Sequence, residues 1–153
     1  MITADATTLV AMSLAHTAGT IKMIVGRVTV GEITAREIKE TIHALDPDCA
    51  VPDEEVMAKT YIDISAPTLS RAESEFIHLS RGEDVRLALS DDPIVREELD
   101  SIGIRALGTP GLLYAGKKAG LIEEVPPLLD RLSEVGYGFA DECRTALLQE
   151  LDE

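Results

Sequence analysis

The apolar run "VRLALS" ends on two adjacent carboxylates, Asp91 and Asp92. An Asp just before Pro93 suits a helix N-cap, and its charge suits the positive end of the helix dipole. That accounts for one acid of the pair and leaves the other open. More acids hold comparable places. Asp5 follows "MITA", Glu37 lies on the first turns of the helical stretch after "RVTV", and Glu73 and Glu75 lie in the first turns of "LSRAESEFIHLS". Carboxylates brought to one rim from four separate pieces of chain would raise one another's pKa unless a cation neutralised them. Hard divalent ions prefer such all-oxygen sites, and Mg²⁺ takes one or two carboxylates directly while keeping several waters. A bound ion of this kind activates water and stabilises charge on a phosphodiester. Each acid also has a reading as a cap or part of a solvated face, as a chain with 28 acids would require, and spacing leaves both readings open.

The elements that must position these acids alternate between strand and helix patterns. "MITA" is a short strand, residues 7–16 have helical spacing, and "TIKMIVG" reads as a further helical piece. "RVTV" (27–30) is a second strand, followed by an amphipathic helix over 32–45 with Ile33, Ile38, Ile42 and Leu45 on one side. After the loop "DPDCAVPDEE", "YIDIS" (61–65) alternates like a strand that Pro67 soon ends. A helix over 70–81, a strand over 85–90, a helix over 94–102 closed by Gly103, and a strand over 104–108 come next. Helices near 110–119, 123–135 and 139–151 finish the chain, with Gly120 and Gly136 where C-terminal caps are expected. The pattern predicts a single α/β domain over 1–153, its parallel sheet covered on both faces. In such folds ligands bind beyond the carboxyl ends of the strands, which gives the acids a common address.

Composition narrows the chemistry. The net charge is −14, which repels polyanions at long range and argues against tight nonspecific DNA binding. Aromatics make up 3% of residues and Trp is absent, so an aromatic platform for base stacking is not expected. Cys49 and Cys143 lack metal-type spacing and read as reduced thiols of a cytoplasmic protein. The longest apolar region, Thr8 to Val25, contains His16, Gly19 and Lys22 and lacks a basic leader, so neither a signal peptide nor a membrane span is expected. His16, His43 and His78 read as packed or surface histidines, although His78 could pair with Glu75 on a helix. Ser80 and Ser90 have no apparent His–Asp partners for a serine hydrolase. "GTPGLLYAG" lacks the Lys-Ser/Thr ending of a P-loop, which leaves capping by Thr109 as the better account. The leucines between Leu112 and Leu132 are mostly core, with the C-terminal helices also able to supply a homodimer face.

The ordered set Asp91-Asp92, Arg96, "SIGI", Gly108-Thr109, Gly120-Leu121-Ile122, Pro127-Leu128-Leu129-Asp130 and Gly138-Phe139-Ala140-Asp141 resembles the prokaryotic PIN-domain family. "ITADATTLVAMS", "RVTVGEITAREI" and "LSRAESEFIHLS" resemble its N-terminal half, with Ala6 for a Thr, Ala72 for a Gly and Phe76 for a small Ala. The resemblance implies a three-layer fold with a mostly parallel sheet and extra C-terminal helices. It also implies a Mg²⁺- or Mn²⁺-dependent endoribonuclease acting on single-stranded RNA and leaving a 5′-phosphate and a 3′-hydroxyl. Many such proteins are VapC-like toxins of toxin–antitoxin pairs, held inactive by a small antitoxin, and dimers are common among them. Carried over residue by residue, the catalytic and metal-holding acids are Asp5, Glu37, Glu73 and Asp92, with Asp91 and Glu75 as secondary metal ligands. Thr7 would orient the water shell of the metal, and Arg96 and Lys22 would contact phosphate. The competing class is a noncatalytic binding module that keeps the sheet and a residual acidic ring.

Overall fold

The computed structural model describes residues 1–64 and 70–153. Five strands form one sheet in which every neighbouring pair is parallel: β1 (Ile2–Ala4), β2 (Val28–Gly31), β3 (Met57–Thr60), β4 (Leu87–Leu89) and β5 (Arg105–Leu107). Their spatial order is β3-β2-β1-β4-β5. The chain therefore builds outward from β1 to β3, crosses back to place β4 against the free side of β1, and continues to β5. The order reverses between β1 and β4, and that switch point is where an open parallel sheet leaves a crevice at its carboxyl edge.

Eight helices surround this sheet among the described residues: α1 (Ala6–Leu14), α2 (Ala18–Val25), α3 (Glu32–Leu45), α4 (Arg71–Ser80), α5 (Pro93–Ser101), α6 (Thr109–Lys118), α7 (Pro126–Glu134) and α8 (Asp141–Leu151). The period-2 alternation of the strands sorts side chains to two faces. Ile2, Ala4, Val28, Val30 and Leu89 join the larger core with residues of α1, α2, α3, α6, α7 and α8. Ala88 points the other way, into a smaller cluster with Phe76 and Ile77 of α4 and Val95 and Leu99 of α5. Thr3 is also fully buried, its hydroxyl bonded to that of Ser80 at 2.8 Å, so no buried polar atom is stranded there. The C-terminal helices close the larger core through Leu129, Leu132, Leu147 and Leu151. The Arg131 guanidinium ties α7 to the Leu14 carbonyl and to Asp46.

Most elements fall where their periodicity puts them, and the third strand does not. The edge strand is "MAKT", paired in register with β2 from Val28↔Met57 to Gly31↔Thr60. An edge strand forms where backbone partners exist, and β2 offers none beyond Gly31, so residues 61–64 continue past its end and Tyr61 is 79% exposed. Residue 65 and Pro67 lie outside the described residues. The seventh helix starts at Pro126, later than its apolar pattern suggests, because a Pro-Pro pair fits a first helical turn, where N–H groups have no intrahelical partner. Cys49 and Cys143 are both free thiols. Among the described residues no single helix is long and apolar enough to cross a membrane.

Candidate active site

Asp5 sits at the switch point. Its backbone N–H donates to the Leu89 carbonyl at 2.8 Å, joining the ends of β1 and β4. Its carboxylate caps α1 by accepting from the Thr8 N–H at 2.8 Å. The pKa of this carboxyl is raised, first by burial and then by the nearby Asp91 charge, against the opposing pull of the Ser90 hydroxyl and the Thr8 backbone. One strand over, Ser90 extends β4 through its own N–H to the Leu107 carbonyl, and its hydroxyl accepts from the Asp92 N–H at 3.2 Å.

The acidic pair after β4 serves two different helices. Asp92 caps α5, its Oδ1 accepting from Ile94 N–H at 2.9 Å and Val95 N–H at 3.3 Å, with Pro93 in the first turn. Asp91 turns to α6, whose N-cap residue Gly108 has no side chain to cap with. Its two oxygens accept from the Thr109 N–H at 2.6 Å and the Thr109 hydroxyl at 2.5 Å. The capping group of α6 is thus Asp91, and Thr109 is the group capped, the reverse of the expectation that Thr109 would do the capping. A Cβ on Gly108 would lie 2.7 Å from Asp91 Oδ1, so glycine is what admits the carboxylate.

Glu37 and Glu73 approach from α3 and α4. The Glu37 carboxyl is also raised, by partial burial first and then by the charges of Glu73 and Glu40. Glu73 lies in the first turn of α4, where the Ser70 hydroxyl accepts its N–H at 3.2 Å. Asp5, Thr7, Glu37, Glu73 and Asp92 line one cleft of about 60 Å³, with Ala6, Ala72, Phe76 and Val95 as its apolar part. Phe76 reaches it from the smaller core, where it is 2% exposed. The space suits a few waters or a hydrated ion and not a nucleotide.

The remaining site residues expected from the sequence lie elsewhere. Glu75 is fully buried and accepts from the Ile33 N–H at 3.0 Å and the Thr34 N–H at 2.7 Å, capping α3 from α4. It does not line the cleft, and its two oxygens already serve α3, which corrects its assignment as a secondary metal ligand. Asp91 is likewise held by Thr109 and lines the neighbouring pocket instead. Arg96 is exposed, with its guanidinium beside Gly108 at the rim. Lys22 pairs with Glu55 at 3.5 Å and is not in the lining. His78 is exposed and Glu75 is turned inward onto α3, so the expected pair does not form.

One residue near the site has no counterpart among those expectations. Tyr137, in the loop after α7, lines the pocket next to the cleft together with Thr7. Its pKa is raised, by burial first and then by the charges of Asp5, Asp91 and Glu37. The available signal was Gly136, since a C′ glycine places the following residue back over the helix it ends.

Among the described residues no group of three or more His, Cys, Asp or Glu side chains is placed to hold a metal ion. Such a group is what a structural zinc site needs. Mg²⁺ needs less: one or two carboxylates, with waters completing the octahedron. Hard oxygen donors around a small cleft, two of them with pKa raised by burial and neighbouring charge, fit an ion of that kind. Asp5, Glu37, Glu73 and Asp92 carry the oxygens of the cleft that would hold it.

A family model described as "DUF3368: PIN domain" matches residues 1–153. No curated protein and no solved structure matches the chain. The five-stranded parallel sheet in the order β3-β2-β1-β4-β5, helices on both faces, the acidic cleft at its switch point and the match over the full sequence agree, and the chain belongs to the PIN-domain family, whose fold is that of nucleases.

Proposed function

We propose that the acidic cleft binds Mg²⁺ or Mn²⁺ and hydrolyses phosphodiester bonds of single-stranded RNA as an endoribonuclease. The observation that carries this reading is that Asp5, Glu37, Glu73 and Asp92, from four separate elements, line one cleft at the sheet's switch point. When bound, the ion would lower the pKa of water and neutralise charge on the scissile phosphate. Asp5 and Asp92 each use a carboxylate to cap a helix, which fixes their rotamers before any ligand arrives. Glu37, with its raised pKa, is the better proton acceptor for an attacking water. Thr7 orders water at the mouth, and Arg96 at the rim offers a cation to the strand's phosphates. Attack in line on phosphorus would leave a 5′-phosphate and a 3′-hydroxyl, as the family resemblance implies. That resemblance extends the proposal to a cytoplasmic toxin with a small antitoxin partner and to a homodimer, the latter checked by light-scattering mass at tens of micromolar protein.

The test is direct. Purified protein with Mn²⁺ or Mg²⁺ should cut single-stranded RNA, EDTA should stop it, and Asp5→Asn should abolish it. Equal cutting by Asp5→Asn would trace the activity to a contaminant. A wild type that binds Mn²⁺ and cuts nothing would instead make the chain a noncatalytic binding module, the reading that Ala6 and the bulk of Phe76 in the cleft would then explain.

A further inference from the structure

The chain has three tyrosines, two phenylalanines and no tryptophan. Phe76 lines the acidic cleft, and Tyr137 and Phe139 line a second pocket of about 310 Å³ that shares Thr7 with it. The rest of that pocket is Ala11, Asp91, Gly136 and Gly138. Its volume reaches the lower end of the range for ligand clefts, roughly 300–1,000 Å³. Three of the chain's five aromatic side chains thus lie in or beside the acidic cleft.

The local fold explains how the two rings arrive there. Gly136, at φ +78°, ends α7 in a left-handed turn. The Gly136 N–H donates to the Ser133 carbonyl at 3.1 Å and the Tyr137 N–H to the Leu132 carbonyl at 2.8 Å, the paired bonds of a Schellman cap. This reversal turns the loop back toward the first turn of α1, where Tyr137 and Thr7 line the same pocket. Tyr137 and Phe139 rest partly on the larger core, which anchors them, and both remain half-exposed. Nothing stands within 4 Å of where a Gly136 side chain would begin, so the glycine leaves the pocket mouth clear.

The lining also says what the occupant is not. Among the described residues no Lys or Arg lines the pocket, and Asp91, the one charged group in that lining, is negative and bonded to Thr109. A phosphate would be repelled there. A flat, uncharged, partly polar ring would be accepted, and sequence-reading proteins take unpaired RNA bases in this way, by stacking them on aromatic side chains. We infer that the pocket between α1 and the α7–α8 loop is a nucleobase subsite: it takes the base of an unpaired nucleotide whose neighbouring phosphate lies in the acidic cleft, with Tyr137 and Phe139 as its stacking walls. The inference rests on the RNA-cleaving reading for the identity of the strand.

The experiment measures binding, not turnover. A fluorescently labelled hexaribonucleotide, and copies carrying a single abasic site at each position in turn, are titrated with full-length protein in Ca²⁺ by fluorescence anisotropy. Wild type should bind one abasic copy roughly tenfold more weakly than the intact strand, the usual size of a lost stacking contact. Phe139→Leu keeps apolar bulk and removes the aromatic face, and melting curves verify that it folds. It should bind the intact strand as weakly as wild type binds that abasic copy, with no further loss when the two changes are combined. Equal affinity of wild type for the intact strand and every abasic copy overturns the subsite, as does a Phe139→Leu that weakens both strands alike or a wild type that binds no strand. RNA cleavage in Mn²⁺ by a protein indifferent to abasic sites keeps the nuclease and loses the subsite. Base-dependent binding without cleavage keeps the subsite and loses the nuclease.

Discussion

The seam between α3 and α4 and the cleft at the ends of β1 and β4 both place carboxylates against packed helices, and they treat them in opposite ways. In the seam, Glu75 gives both oxygens to the first N–H groups of α3, whose N-cap is a glycine that cannot cap itself. A Cβ on Gly31 would fall 1.9 Å from the Glu75 carboxyl carbon, so the glycine and the acid form one device. Gly108 and Asp91 repeat it at the start of α6. In the cleft, Asp5 and Glu37 have their pKa values pushed up, because burial and neighbouring charges outweigh the donors they have. A carboxylate whose charge the fold already satisfies is scaffold. One left undercompensated beside others is where the fold expects something to bind.

The largest expected effect tests the seam. Glu75→Ala removes two hydrogen bonds to a charged acceptor and strands two N–H groups of α3 in a buried place. Stability should fall by about 3 kcal/mol or more, and Tm by roughly 10 °C for a chain of this length. Gly31→Ala should cost about as much by expelling the same carboxylate, and the double variant should be little worse than either single one. Additive losses in denaturant melts would show that the two residues do not act as a unit.

Next in size is the second device. Thr109→Val leaves Asp91 with one donor in place of two, and thermal melts should show a loss of about 1–2 kcal/mol. Stabilisation by millimolar Mn²⁺ should be unchanged, because Asp91 belongs to the scaffold in this comparison. A vanished Mn²⁺ shift would move Asp91 into the metal site.

Asp5→Asn should go the other way. The folded protein holds the Asp5 proton more tightly than the unfolded chain does, since the folded pKa is raised above 3.8. The stability this group contributes is therefore complete below pH 3.8 and is lost as pH rises through the raised value. At neutral pH without metal, Asn carries no such penalty, and Tm should rise by a few degrees. The gain should fade as pH falls below 3.8, where Asp5 is protonated in both states. Millimolar Mn²⁺ should stabilise wild type and leave Asp5→Asn unmoved, since a ligand stabilises the state that binds it. Parallel pH series of melting curves, with and without metal, read both effects.

The smallest effect is at Asp92. Asn caps a helix about as well as Asp, so without metal Asp92→Asn should change stability by less than about 0.5 kcal/mol. Its Mn²⁺ shift should still shrink, because Asp92 lines the cleft as well as capping α5. An intact shift would leave Asp92 a cap alone.

Much of this was legible in the residues. Strand and helix periods placed nearly every element, and Asp92 before Pro93 marked a helix start that the structure keeps. Gly120 and Gly136 mark helix ends with φ of +74° and +78°. These are local properties, set by one residue's sterics or by side chains a few positions apart. Glu75 was half-legible: Ala72, Glu75 and Phe76 share a face at helical spacing, so the acid sits on the buried stripe and needs partners inside. The edge strand was misplaced because "YIDIS" carries the better alternation while "MAKT" has the partner.

By itself, then, the sequence determined four of the five strand segments, the capping of α5 by Asp92, and that Asp5 and the Asp91–Asp92 pair follow strands at their carboxyl ends. Only the tertiary structure decided which acids meet. Glu73 and Glu75 are two positions apart on one helix, hence about 200° apart around its axis. One faces the cleft while the other is sealed against α3. The crossing from β3 to β4 brings Asp92 beside Asp5 across 86 intervening positions' worth of chain, and the α7 cap returns Tyr137 to Thr7. Those meetings depend on strand order and on the rotational setting of each packed helix, which are fixed by how all the apolar faces close together and not by any one stretch of residues.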